Sequence, residues 1–496
     1  MQATRAIPPR QKRVINNVFQ MAISFKPSQQ GSSHDPVPLA WTANPIRLLF
    51  SDLVLGFRKL PYIFGILSLQ PSRHPLDELY PWSVKNMVTL AIHLFLIVYQ
   101  LAFLASIPVW IILHGPVLWF IVYCASVLGV NTLICGLLNG PEYLDSKVDL
   151  PYPESHNKER WIFLNGVSVG SHWLQANIDR LALTFRRPVR GVHNPTAGIV
   201  FDLLQCLLER NFSYSTDDVR VAYRQIKDAL VDSNYEKIVL ILHSQGGIQG
   251  SLIVDWLLSE VPQTLLSQLE IYTFGNAANH FNNPHWDLRT YLSNVNADTQ
   301  RDHTVKSIAH IEHYAHSGDF VAQWGILNFT KVPNRFMGRV FERPGDGHLL
   351  NQHYLNAMFP LGHDGTVKEK NEFMETAVQL AEPKDFDSET ASHETASPLP
   401  VRSGVVRATN GINSSSLRSG QEGMLESLIT HMTPTARGGN SLVQDINSPV
   451  QKIVNRQSST LRVKDFSRLW QYRNGQSPPR KNQQLREEAA KRQATW

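Results

Sequence analysis

The sequence predicts an α/β fold with a mostly parallel sheet, preceded by two long apolar helices, and three observations predict it. Residues 159–365 alternate short apolar runs with longer mixed segments, the rhythm of strands and crossover helices. Those runs do not alternate strictly with polar residues, which fits strands buried on both faces. Ahead of them, Asn86 to Pro141 contains no Asp, Glu, Lys or Arg. The chain has 496 residues, 43% hydrophobic and 18% charged, enough for one large domain with appendages or for two to three ordinary domains. That composition excludes a wholly disordered or coiled-coil protein.

Residues 1–44 carry Arg5, Arg10, Lys12, Arg13 and Lys26 and no acidic side chain before Asp35. No apolar core of secretory type follows, so a cleaved signal peptide is not expected. A flexible basic arm is, with a mitochondrial presequence as the rival reading. In residues 45–85, Pro45–Leu60 sets a polar stripe of Arg47, Ser51, Asp52, Arg58 and Lys59 against Leu48, Leu49, Phe50, Leu53, Val54 and Phe57. Such a membrane-proximal segment suits a helix lying on a bilayer surface, and an ordinary amphipathic helix fits the same pattern.

Residues 86–141 are expected to form a transmembrane helical hairpin. Met87–Ile107 and Val117–Leu138 are each long enough to cross a bilayer core, which needs about 20 apolar residues. Pro108 and His114-Gly115-Pro116 lie between them. The connection has no Lys or Arg, whereas Arg58, Lys59, Arg73 and Lys85 precede the first span and Lys147, Lys158 and Arg160 follow the second. The positive-inside rule then puts both termini and the bulk of a two-span integral membrane protein in the cytosol, in an organelle left open.

Residues 142–381 form the expected α/β domain. Its strands are read at Trp161–Asn165, Val189–Val192, Lys237–Leu242, Leu269–Phe274, Ile308–His316 and Gly338–Arg343, with helices at Asp217–Val231 and Gln249–Leu258. Residues 382–496 are rich in Ser, Thr, Asn, Gln and Arg and read as a disordered tail. From Val401 onward the tail holds 15 Lys and Arg against 6 Asp and Glu, a charge of +9, which leaves −4 for the rest of a chain whose net charge is +5. The basic character therefore belongs to the tail, and nucleic acid is not an expected partner. Its end (Arg480, Lys481, Arg486, Lys491, Arg492) has the charge to touch anionic lipid. Three cysteines (Cys124, Cys135, Cys206) cannot make a disulfide framework.

One junction carries chemistry. In Ile238-Val-Leu-Ile-Leu-His-Ser244-Gln-Gly246-Gly247, a buried strand runs into a serine, two glycines and a helix. A serine on a sharp strand-to-helix turn presents its hydroxyl at the edge of the sheet, where the helix N-terminus favours developing negative charge. Here the sequence resembles the α/β-hydrolase superfamily, and its His-Ser-Gln-Gly-Gly form is similar to lipases and serine esterases. The resemblance covers about 200 residues. It departs from the usual Gly-x-Ser-x-Gly pattern at Leu242, where a large side chain is expected to crowd the helix behind the strand.

The resemblance implies a chain order of serine, acid and histidine. Ser317-Gly318-Asp319 follows the penultimate strand, and Pro344-Gly-Asp-Gly-His348 follows the last. Ser244 is then the nucleophile, His348 the general base and Asp319 the carboxylate that orients it. Asp346 and Asp287 are reserve acids; His353 and His363 are rival bases. The oxyanion hole would draw one N–H from Gln245 and one from Val167, in the loop Asn165–Gly170. His303, His310, His313 and His316 invite a metal reading, but on a strand every third residue alternates faces and cannot converge on one ion. No dinucleotide fingerprint or phosphate loop is present, so no metal and no cofactor are expected. The sequons at Asn211, Asn328 and Asn413 are read as chance. The expected function is a membrane-anchored serine hydrolase cleaving acyl esters, with lipids as natural substrates beside a bilayer. A hydrolase-like membrane scaffold or binding protein without activity is the alternative, and the oligomeric state is open.

Overall fold

A computed structural model describes residues 23–26, 44–66, 71–151, 156–284, 306–332, 335–380 and 461–478. The described strands are β1 (Ile23–Lys26), β2 (Tyr143–Asp145), β3 (Glu159–Leu164), β4 (Val189–Val192), β5 (Lys237–His243), β6 (Leu269–Phe274), β7 (His310–His316), β8 (Arg339–Arg343) and β9 (Val378–Leu380). They form one mixed, mostly parallel sheet in the order β2-β4-β3-β5-β6-β7-β8-β1-β9. From β4 to β8 every neighbour is parallel. β2 joins β4 and β1 joins β8 antiparallel, and β9 continues parallel to β1.

The longer helices are α1 (Pro45–Lys59), α2 (Val84–Ile112), α3 (Val117–Cys135), α4 (Ser171–Phe185), α5 (Ile199–Phe212), α6 (Asp217–Val231) and α7 (Gln245–Glu260). α6 buries Val219, Ala222, Ile226, Ala229 and Leu230, one stripe at helical spacing, with Asp217 and Asp218 favouring its N-terminus. That stripe and the α7 residues Ile253 and Leu257 pack over Ile162, Leu164, Leu240 and Leu242 of the central strands. On the opposite face Trp161 meets Phe185 and Tyr472, each with ring centroids 5.1 Å apart. Burial on both sides is why these strands read as continuous apolar runs.

α2 and α3 are each long and apolar enough to cross a membrane. At 1.5 Å per residue they measure about 43 and 28 Å. Pro108 was expected outside the first span; it lies inside α2, which continues to Ile112. A proline removes one helical hydrogen bond, and here that loss does not end the helix. α2 is not free along its length: Asn86, Thr89, His93, Leu96, Gln100 and Phe103 form a buried stripe.

Three expectations about the flanking regions need correction. Within the basic arm of residues 1–44, Ile23–Lys26 is a strand whose Ile23 and Phe25 are buried against the sheet. In α1 the stripe is split: Arg47, Ser51 and Arg58 are exposed, but one member turns inward. Asp52 is buried and paired with Arg210 at 2.7 Å, while Ile46, Phe50 and Phe57 are about 70% exposed. Within the tail of residues 382–496, residues 461–478 are ordered against the bottom of the sheet. There Val463, Phe466, Leu469, Trp470 and Tyr472 are buried, Arg468 pairs with Glu270 at 2.8 Å, and Tyr472 donates to the same carboxylate. Burial alone would raise the Glu270 carboxyl, but Arg468 outweighs it and holds it at about 2. The remainder of the arm and tail, with Arg480 to Arg492, lies outside the described residues.

Candidate active site

The site is assembled from the C-terminal ends of parallel strands, the edge where ligands bind in open α/β sheets. β3 leads into Asn165-Gly166-Val167, β5 into Ser244, β6 into Gly275, β7 into Asp319 and β8 into the loop carrying His348. Ser244 caps α7 with φ 58° and ψ −121°, a combination that a non-glycine residue reaches only under strain. Strain of this kind costs on the order of 1–3 kcal/mol and persists only where the surroundings impose it. They impose it here by hydrogen bonds. The Ser244 amide donates to Phe274, and its carbonyl accepts from Gly247 and Ala277.

The glycines around this turn are close approaches of backbone. A Cβ on Gly246 would lie 2.6 Å from the Leu164 carbonyl oxygen, and one on Gly166 would lie 2.5 Å from the Ser244 Cβ. The expected conflict at Leu242 does not arise. Its side chain packs against Gly250, where a Cβ would come within 2.2 Å of the Leu242 Cδ1. Space that the usual motif creates on the strand is created here on the helix, one turn along α7.

His348 Nδ1 donates to Asp319 Oδ2 at 2.8 Å. Asp319 also receives Tyr354 Oη–H on Oδ2 at 2.9 Å and the Val321 amide on Oδ1 at 2.8 Å. Burial would raise this carboxyl, but the His348 imidazole, with the hydrogen bonds from His348 and Tyr354, outweighs it and holds the group below its ordinary value. With Nδ1 carrying the proton, Nε2 is the acceptor face of the ring; it is buried and makes no hydrogen bond. His243 fixes the same loop from below. Its Nε2 donates to the His348 carbonyl at 2.8 Å, and the two rings stack 4.8 Å apart. Burial, followed by the neighbouring His348, pushes the His243 imidazole down to about 3, so it stays neutral. Ser244, Asp319 and His348 are 3%, 0% and 7% exposed, so the site is closed.

The structure separates the rivals. Asp346 is exposed, and Asp287 and His303 lie outside the described residues. His363 is exposed, and His353 accepts the Leu349 amide through Nδ1 and packs on Gly347. His310 pairs with Glu312, His313 bridges Thr273 and the Met337 carbonyl, and His316 bonds the Gly347 carbonyl, so the three point to separate partners. Among the described residues no three His, Cys, Asp or Glu side chains gather in a way that holds a metal ion. Of the sequons, Asn211 is buried with its amide on Asp52, Asn328 is half-buried, and Asn413 is outside the described residues.

Two groups near Ser244 escaped sequence reasoning. Tyr354 is the second side-chain donor to Asp319; it lies in the π-helical turn Leu350–Leu355, a geometry that no periodicity announces. Glu209 of α5 accepts the Gln245 side-chain amide at 2.9 Å, while Gln245 Oε1 accepts from Asn194. Burial raises the Glu209 carboxyl to about 7 against the hydrogen bonds from Gln245 and Gln205. Gln245 itself opens α7, where the first-turn N–H groups have no partner within the helix. Val167 packs partly buried beside Cys206, Ile248, Ala277 and Trp324.

Compared with known proteins, the chain matches no protein-family model and no curated protein sequence.

Proposed function

We propose that this chain is a serine hydrolase of the α/β-hydrolase type, held in a membrane by the α2–α3 hairpin, that cleaves acyl esters of lipids. The observation that carries the reading is the Ser244 turn. A strained serine at a strand–helix junction sits on the same sheet edge as a histidine whose Nδ1 is committed to a buried carboxylate and whose Nε2 is open to accept a proton.

The chemistry follows from those atoms. Ser244 Oγ attacks the ester carbonyl carbon as its proton passes to His348 Nε2. Asp319 stabilises the imidazolium without taking the proton. Charge on the carbonyl oxygen falls to the α7 N-terminus at Gln245 and to the Gly166–Val167 backbone. The tetrahedral adduct expels the alcohol, which leaves with the proton from His348. Water, activated by the same imidazole, then releases the acid and regenerates Ser244. Lipase, phospholipase, carboxylesterase, thioesterase and acyltransferase chemistry all share this constellation.

The membrane part of the proposal rests on surface chemistry. Beyond their contacts with the domain, α2 and α3 expose Leu94, Ile112, Leu118 and Leu133 at 65–77%. Ile46, Phe50 and Phe57 of α1 and the neighbouring Phe64 extend apolar exposure beyond the pair. Lys and Arg flank the pair and are absent from its tip, which supports a cytosolic α/β domain. A bilayer concentrates lipid esters beside such a site.

The closed site favours the second reading, an inactive hydrolase-fold scaffold. Fatty-acid release from long-chain ester vesicles by the reconstituted full chain separates the two. The proposal expects release that is lost in Ser244→Ala and His348→Ala. Equal rates in wild type and both variants would leave the scaffold.

A further inference from the structure

Amide side chains in apolar helices are costly unless their hydrogen bonds are met, and Gln100 and Asn131 sit within α2 and α3. Both are buried, and both spend their donors on one short turn of the α/β domain. Gln100 Nε2 donates to Asn131 Oδ1 at 2.8 Å and to the Ala197 carbonyl at 2.6 Å. Asn131 Nδ2 donates to that same carbonyl at 2.9 Å, and Gln100 Oε1 accepts the Val200 amide at 3.1 Å. Just past α3, Asn139 pairs with both the amide and the carbonyl of Thr196, each at 2.9 Å. Gly198 has φ +95°, and a Cβ there would stand 2.1 Å from Gln100 Nε2, so the turn is fitted to the helices.

The turn in turn holds a carboxylate. Thr196 Oγ1 donates to Asp202 Oδ2 at 2.6 Å, and the Ala197 amide donates to Asp202 Oδ1 at 2.8 Å. Asp202 Oδ2 accepts one further donor, the amide of Ser168 at 2.9 Å. Ser168 has φ +59° and follows Gly166 and Val167 directly. The far end of the same loop is tied to the segment just past α3, since the Ser171 amide donates to the Leu138 carbonyl at 2.8 Å.

We propose that the α2–α3 pair is a positioning element of the oxyanion loop as well as an anchor. Gln100 and Asn131 set the Thr196–Gly198 turn, the turn sets Asp202, and Asp202 holds the strained Ser168 so that the Gly166–Val167 backbone lies against Ser244. A helical pair that served only to tether would have no need to aim two buried amides at the segment that carries this carboxylate. The inference rests on the serine-hydrolase reading above.

The test is the kinetics of Ser244 phosphonylation by a water-soluble fluorescent fluorophosphonate, on the full chain in detergent, with the rate constant and the probe's half-saturation separated. Thr196→Val keeps the side-chain shape and removes the hydroxyl; Thr196→Ser restores it; Gln100→Leu cuts the chain of bonds at the helix. The expected result is a loss of about tenfold in rate constant for Thr196→Val and Gln100→Leu, less than removal of a direct oxyanion donor, with half-saturation and labelling endpoint unchanged. Thr196→Ser should return the rate to within about twofold of wild type. Thr196→Val carries the test on its own where Gln100→Leu does not fold. Wild-type rates in a folded Thr196→Val would overturn the inference and leave the hydrolase reading standing. A wild-type chain that takes no label overturns both.

Discussion

The two sides of Ser244 are held in different ways. On the proposed acid–base side, His348, Asp319, His243 and Tyr354 come from strand ends and the adjoining loop, and they bond to one another within that edge. On the proposed oxyanion side, the loop after β3 is held by Asp202 and Asn194, and the segment behind it by Gln100 and Asn131 of the apolar pair and by Asn139 just past it. α5, which carries both Asp202 and Glu209, is itself fixed to α1 through Arg210 and Asp52. One side is local to the sheet; the other is a relay across the molecule. Damage should therefore act on chemistry in the first case and on geometry in the second.

The largest expected effect lies on the acid–base side. Asp319→Asn replaces the acceptor of His348 Nδ1–H with an amide and favours the wrong tautomer. The phosphonylation rate should fall about 10⁴-fold with the fold intact. A rate within tenfold of wild type would show that Asp319 does not orient the base.

Next comes the support of the oxyanion side. Arg210 is fully buried and lies 3.7 Å over the Trp324 ring, with its guanidinium on Asp52 and on the Ala277 and Trp324 carbonyls. Asp52→Ala leaves that charge without its partner, and the expected cost is about 3–5 kcal/mol in denaturant unfolding. A loss under 1 kcal/mol would mean that α1 is not a structural support of α5.

A smaller effect probes the elbow. Gly250→Ala should destabilise the chain by about 1–3 kcal/mol through overpacking on Leu242. Leu242→Ala in the same chain should relieve much of that, a non-additive cycle that separate, independent sites would not produce.

The smallest effect is a slope. Glu209 is raised to about 7 in the folded chain, mainly by burial. Folding thus favours its protonated form, and the stability this contributes is present below its ordinary value and lost as pH rises to 7. Glu209→Gln should flatten the stability profile over that window, by about 1 kcal/mol per pH unit. An unchanged profile would place the titration on other buried acids, such as Glu78.

The alternating rhythm made the central strands legible: Val189–Val192 and Leu269–Phe274 coincide with β4 and β6. The junction at Ser244 was legible for a similar reason, since strand, turn and helix adjoin in sequence. Contacts between distant segments were not. Nothing near Asp52 points to Arg210, 158 positions away, and nothing near Leu242 marks Gly250 as the residue that makes room for it. β1 has only four residues inside a basic stretch, too short for periodicity to stand out, although Ile23 and Phe25 do alternate with polar neighbours. Residues 461–478 share the polar composition of the tail, and their one signal is aromatic: Phe466, Trp470 and Tyr472 within seven positions. Net composition hides such a segment because its hold on the sheet runs through buried carboxylates, the Arg468 guanidinium on Glu270 and the Arg468 amide on Glu312, as much as through apolar surface.

The most direct measurement is intact-protein and peptide mass spectrometry of the full chain after exposure to a fluorophosphonate in its native membrane. The account predicts a single adduct on Ser244, absent in Ser244→Ala and blocked by prior incubation with a long-chain acyl ester. A folded wild-type chain that carries no adduct, or carries it on another serine, would contradict the account.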